Sequence, residues 1–206
     1  MSPDRLVAMD CEMVGTGPGG QCNELARCSL VGYSGIVLYD KYILPRHPVT
    51  DYHTGWRGIT EHHLIRALPF EEARKEILQI LKGKVVIGHA LHNDFRALEF
   101  IPPRHLIRDT SRMHCLRDMC GVPVKACVPL KTLAQKLLSR EIQGDRLGHC
   151  SVEDARIALE LYKLVEEQWE ADMASTVSDS DLLLSPSFTP EHYMQGWLDH
   201  MMDCSQ

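Results

Sequence analysis

Asp10 and Glu12 stand one residue apart at the end of the apolar run Val7-Ala8-Met9. Such a run reads as a buried strand, and in a strand residues i and i+2 point to the same side. Both carboxylates then face one point, where they repel each other and lose solvation unless a divalent cation sits between them. The alternative is an exposed strand end with two solvated acids. Asp94, His149 and Asp154 each have an ordinary reading as well. Asn93 or Asp94 could cap a helix, His149 could be a surface loop group, and Asp154 stands three residues after Ser151, in a capping-box position. Taken together, the acids and the histidine suggest a shared chemistry. Four carboxylates converging on one point could hold two hard divalent ions, Mg²⁺ or Mn²⁺. Two such ions about 3.5–4 Å apart can activate water and stabilise the leaving oxygen of a phosphodiester. A histidine that titrates near neutrality is suited to take the proton from that water.

The elements that must position these groups follow from the apolar pattern. Leu6–Met13, Leu25–Tyr33 and Ile36–Leu44 read as three consecutive strands, and Ser34-Gly35 marks a hairpin. Short links between them suggest an antiparallel meander. The glycine-rich stretch from Gly15 to Gly20 lacks the Lys-Ser/Thr ending of a phosphate loop and reads as a turn. Residues 45–68 form a polar loop with Arg46, His47, His53, Arg57, His62, His63 and Arg66 around Tyr52 and Trp56. Cations could meet phosphates there while rings stack on bases; an ordinary solvated loop is the alternative. Pro69 opens a helix through Leu81, closed by Gly83. Val85-Val86-Ile87 is a short strand of the kind buried on both faces. Asp94 follows it on a helix running to Phe100, at the strand end where open α/β sheets place ligands. Leu106–Asp109 suggests another short strand. Leu130–Ile142 and Val152–Glu170 read as helices, the second capped by Ser151.

The 206 residues fit one domain, read here as 1–170, with an acidic and flexible tail over 171–206. The net charge of −6 belongs to that tail. Asp172, Asp179, Asp181, Glu191, Asp199 and Asp203 lie in it and no Lys or Arg does, so 22 acids balance 22 basic residues in the body. A neutral body can carry a basic face. The N-terminal residues lead directly into the first strand, no apolar run approaches about 20 residues, and none of the eight cysteines forms a Cys-x-x-Cys pair. The expectation is an intracellular protein, nuclear or cytoplasmic, with reduced thiols. His114, Cys115, Cys120 and Cys127 are the alternative metal set, for zinc, although their spacing fits no standard pattern.

The order Asp-x-Glu, Asp, His-x-x-x-x-Asp resembles that of the DEDDh 3′→5′ exonucleases. The resemblance extends to Ala8-Met9-Asp10-Cys11-Glu12-Met13-Val14-Gly15, Leu25-Ala26-Arg27-Cys28-Ser29, Val86-Ile87-Gly88-His89, Asn93-Asp94-Phe95 and Gly148-His149-Cys150-Ser151-Val152-Glu153-Asp154-Ala155. These look like the vertebrate interferon-stimulated exonuclease and apoptosis-enhancing nuclease group, over about residues 5–170. The resemblance implies an α/β ribonuclease H-like fold, with a central mixed five-stranded sheet, its first three strands antiparallel, flanked by helices. It implies that Asp10, Glu12 and Asp154 hold one metal, that Asp10 bridges to a second supported by Asp94, and that His149 is the general base. Met13 and Val14 would line the terminal nucleotide's pocket, and Ile59 would pack on its base. The implied substrate is single-stranded RNA, with single-stranded DNA as a further candidate. One departure is His53, where the resembling proteins carry an arginine associated with the terminal ribose. A shorter, mostly neutral group there predicts weaker RNA/DNA discrimination. A non-catalytic nucleic-acid-binding or protein-interaction module on the same fold is the competing reading, and it would predict the loss of one or more of the five residues.

Overall fold

The computed structural model describes residues 2–53, 58–123, 127–144 and 149–180. Its strands are β1 (Leu6–Thr16), β2 (Cys22–Gly32), β3 (Val37–Leu44), β4 (Val49–Asp51), β5 (Leu68–Pro69), β6 (Val85–Gly88) and β7 (Ile107–Asp109). Its helices are α1 (Glu61–Leu64), α2 (Phe70–Leu81), α3 (His92–Ala97), α4 (His114–Met119), α5 (Leu130–Leu138) and α6 (Ser151–Ser180). The five longer or central strands lie in the order β3-β2-β1-β6-β7. The first three are antiparallel, and β6 and β7 run parallel to β1. This is the expected five-stranded mixed sheet. Two short pieces extend it: β5 beside β3, and β4 beside the far end of β1.

Alternation along β1 sorts its side chains onto two faces. Leu6 and Ala8 pack with α5 and α6, in a core that includes Leu133, Ile157, Leu161 and Tyr162. Val7, Met9, Cys11 and Met13 pack with α2 and α3, against Ile77, Leu81 and Phe95. Each fully buried large side chain contributes about 1.5–3 kcal/mol. The central strand is thus fixed from both sides, and with it the position of Asp10 and Glu12.

Several boundaries differ from the sequence pattern. Helix α5 stops at Leu138 rather than Ile142, because Ser139 adopts a left-handed conformation with φ 54°. The last helix runs past Glu170 to Ser180, so 171–180 are helical. Ser151 is the first helical residue rather than a cap, and its hydroxyl is used elsewhere. No helix among the described residues is long and apolar enough to cross a membrane.

Candidate active site

The parallel pairing of β1 with β6 ends at Ala8 opposite Ile87, and β6 itself ends at Gly88. Asp10 and Glu12 therefore lie beyond the end of β6, where the chain turns off the sheet toward α3. That is the crevice in which open α/β sheets hold ligands. Asp10 lies opposite Ser29 and is half-buried; Glu12 lies opposite Arg27 and is buried.

On the same side of β1, α6 brings up Asp154. Ligand atoms of Glu12, His149 and Asp154 all lie within 4.8 Å of one another. His149 Nδ1 is 3.7 Å from Asp154 Oδ2. The capping-box alternative for Asp154 does not hold, because its N–H donates to the Cys150 carbonyl at 2.9 Å and its carboxylate faces the site. Gln143, at φ 56° in the preceding loop, donates Nε2–H to Asp154 Oδ2 at 2.9 Å. Asp154 Oδ1 is buried with no hydrogen-bond partner among the described residues. A buried carboxylate oxygen in that state is costly unless a cation meets it.

Asp94 arrives from α3, and it sits inside that helix rather than capping it. The turn that presents it is tightly built. Gly88 leaves no room for a side chain: a Cβ there would lie 2.4 Å from a Leu91 methyl carbon and 2.8 Å from the Met9 carbonyl oxygen. Ala90 is left-handed, with φ 54°. Asp109, at the end of β7, holds this turn by accepting the N–H groups of Ala90 at 2.9 Å and Leu91 at 3.1 Å.

Burial pushes the Asp94 carboxyl up to about 7, against hydrogen bonds from the Cys11 thiol and backbone that lower it. Burial likewise pushes Asp154 up to about 6, against the Gln143 hydrogen bond. Glu12, Asp94 and Asp154 are only 2%, 4% and 3% exposed. Low solvation around several carboxylates disfavours their charge, and a divalent cation reverses that balance. The acids offer carboxylate oxygens, which suit Mg²⁺ or Mn²⁺. The residues present fit such ions.

The other expected site residues are placed differently. Val14 and Ile59 are buried together with Ala26 and Leu64. Met13 faces the opposite side of the sheet and packs with Cys28 and Phe95. Met13 and Val14 thus sit on opposite faces of β1, as the parity of a strand requires. His53 is left-handed, with φ 49°; its Nδ1 lies 3.0 Å from Asp51 Oδ2 and its N–H donates to Asp51 Oδ1 at 2.8 Å.

The polar loop is also less basic than its composition suggests. Arg46 is paired with both Glu71 and Glu99, and His47 with Glu24. The His63 ring stacks on Tyr42 at 4.5 Å. Trp56 and Arg57 lie outside the described residues.

A family model described as Exonuclease (RNase_T) matches residues 7–162. The chain belongs to the exonuclease family. The fold of this exonuclease domain is the ribonuclease H-like one of its solved relatives. The catalytic unit of Neurospora crassa Pan2, with protease and nuclease domains, superposes with a TM-score of 0.68 at 29% identity, over 89% of this chain and 30% of that one. A Saccharomyces cerevisiae Pan2 module in complex with AAGGAA RNA gives 0.67 at 26% identity, over 88% and 33%. Among curated sequences, the apoptosis-enhancing nuclease of Rattus norvegicus is 58% identical, covering 84% of this chain and 52% of that protein. The interferon-stimulated 20 kDa exonuclease-like 2 of Bos taurus is 54% identical, covering 84% and 49%. The exonuclease domain thus spans about half the length of these relatives, and it falls in the DEDDh group whose motif order it carries.

Two contributors carry no signal in the sequence pattern. Gln143 sits in a loop without periodicity. Asp109 looks like a strand end, and only its hydrogen bonds to the turn before α3 reveal its part.

Proposed function

We propose that this domain is a 3′→5′ exonuclease that hydrolyses single-stranded RNA, and single-stranded DNA less selectively excluded than in relatives with arginine at position 53. The observation that carries the reading is the meeting of buried Glu12 and Asp154 with the partly exposed His149, with Asp10 on the same strand as Glu12 and Asp94 in the first turn of α3. Two Mg²⁺ or Mn²⁺ ions held there would supply positive charge to the scissile phosphate and its leaving oxygen. Asp10, Glu12 and Asp154 would hold one, and Asp10 and Asp94 would support the other. Gln143 keeps the Asp154 carboxylate turned into the site. His149, whose Nδ1 lies 3.7 Å from Asp154 Oδ2, would take the proton of the attacking water. The water oxygen bonds to phosphorus, the phosphorus–O3′ bond breaks, and the released 3′-oxygen is protonated from solvent. The product is a nucleoside 5′-monophosphate. Met13, Val14, His53 and Ile59 are assigned to the terminal nucleotide. Catalysis is assigned to residues 1–170 and none of it to 171–206.

The test is a time course on single-stranded RNA labelled at the 5′ end, with Mg²⁺ or Mn²⁺. The expected result is a ladder shortening one nucleotide at a time, blocked by EDTA and by a 3′-phosphate. Endonucleolytic fragments, or binding without any turnover in either metal, would overturn it. The second of those outcomes is what a binding module would give.

A further inference from the structure

At the far end of α6, a second group of donors has a different chemistry. His114 and Cys115 open α4, and Asp172 lies on α6. His114 Nε2 is 3.4 Å from Cys115 Sγ and 3.5 Å from Asp172 Oδ2, and all three donors lie within 4.8 Å of one another. Tetrahedral zinc, with bonds of about 2.0–2.1 Å to nitrogen, 2.3 Å to sulfur and 2.0–2.2 Å to oxygen, separates its ligand atoms by roughly 3.4–3.6 Å. Two of the three edges are already close to that length.

The donors are also held in place. Gln168, one turn earlier on α6, donates Nε2–H to Asp172 Oδ1 at 2.8 Å, which directs Oδ2 toward His114. The Trp169 ring packs 5.6 Å from the His114 ring and restricts its rotation. Supports of this kind orient metal ligands in known sites. Asp172 lies 18 residues beyond Asp154 on one helix, which at 1.5 Å per residue is roughly 27 Å away. The two groups are therefore separate. Their donors also sort differently: carboxylate-rich for Mg²⁺ or Mn²⁺ around Asp154, and imidazole, thiol and one carboxylate for a zinc-class ion here.

We propose that His114, Cys115 and Asp172 form a zinc-class site, with water in the fourth position, that ties α4 to the distal part of α6. The set differs from the one the spacing suggested. Cys120 faces the core beside Leu116, and Asp172 takes the place that Cys120 and Cys127 would have filled. Binding replaces the thiol proton with the ion and releases that proton to buffer.

The inference does not depend on nuclease activity, and its test does not use it. Chelator-stripped protein is titrated with Co²⁺ in excess Mg²⁺, which occupies the carboxylate site. One equivalent should raise a thiolate-to-cobalt charge-transfer band, and Zn²⁺ should remove it. The band should be lost in Cys115→Ser and kept in Asp94→Asn. Asp172→Asn, a milder change, should weaken Co²⁺ binding at least tenfold. No band in the parent protein, a band that survives Cys115→Ser, or unchanged affinity in Asp172→Asn would each overturn the proposal.

Discussion

The hydroxyls of Ser29 and Ser151 lie 2.6 Å apart in a fully buried hydrogen bond that joins β2 to the first residue of α6. Ser29 gives its one proton to Asp40 Oδ1 at 2.9 Å, so Ser151 is the donor in this pair. The contact sets the start of α6 against the sheet, and Asp154 follows three residues later. Ser29→Ala should leave the Ser151 hydroxyl without an acceptor and cost about 1–3 kcal/mol, more than Ser151→Ala, which leaves only an acceptor unfilled. Urea unfolding of both variants measures the order; a larger cost for Ser151→Ala would refute the direction assigned.

The raised carboxyls of Asp94 and Asp154 make the metal-free protein sensitive to pH. Between the ordinary value of 3.8 and about 7, the folded chain binds more protons at Asp94 than the unfolded chain does. Stability then falls as pH rises across that window, by a few kcal/mol in order of magnitude. Melting temperatures in EDTA should drop from about pH 5 to about pH 8, and Mg²⁺ should restore them mainly at the upper end. Asp94→Asn should flatten the profile. A profile that rises with pH in EDTA would contradict the burial argument.

Asp109 acts on the reaction only through the turn that carries Asp94. Asp109→Ala removes both acceptors of the Ala90 and Leu91 N–H groups, while Asp109→Asn keeps one. Turnover should fall by one to two orders of magnitude in the alanine variant and less in the asparagine variant. The Mg²⁺ concentration for half-maximal rate should rise in parallel. A loss of rate with no change in Mg²⁺ dependence would assign Asp109 to stability alone.

Glu170 is tied to β7, since Arg108, itself buried, donates Nη2–H to it at 2.8 Å and Tyr162 donates its hydroxyl at 2.8 Å. Glu170 is partly exposed and Arg108 keeps the His105 and Ile107 carbonyls as acceptors, so losing the carboxylate costs about 1–3 kcal/mol. Glu170→Ala should lower the urea midpoint by a corresponding amount and leave the rate of the remaining folded protein intact. A change below about 1 kcal/mol would show that water replaces the pair.

His53 is held by Asp51 through both its ring and its backbone. His53→Arg should increase the ratio of RNA to DNA turnover on matched oligonucleotides, because a fixed fork of donors can read the 2′-hydroxyl. Equal ratios in the two proteins would remove this residue from discrimination.

Much of this was legible in the sequence where a period or a motif carried it. The alternation around Asp10 and Glu12 placed them on one face of a central strand, and the three-strand meander followed from its turns. Asp94 and the His149–Asp154 pair were legible as a motif order. Side-chain pairing across the fold was not. Nothing local marks Ser151 as a partner of Ser29, 122 positions away in the chain. Nor does anything local show that Arg46 is engaged by Glu71 and Glu99 rather than turned to phosphates. The last helix outran its expected end because 171–180 holds no glycine or proline to stop it.

The most direct test of the whole account is turnover of 5′-labelled single-stranded RNA in saturating Mg²⁺ by the parent protein, Asp94→Asn and His149→Ala, each checked for folding by its melting transition. The account predicts stepwise shortening from the 3′ end by the parent and a loss of at least three orders of magnitude in both variants. Comparable turnover by either folded variant would contradict it.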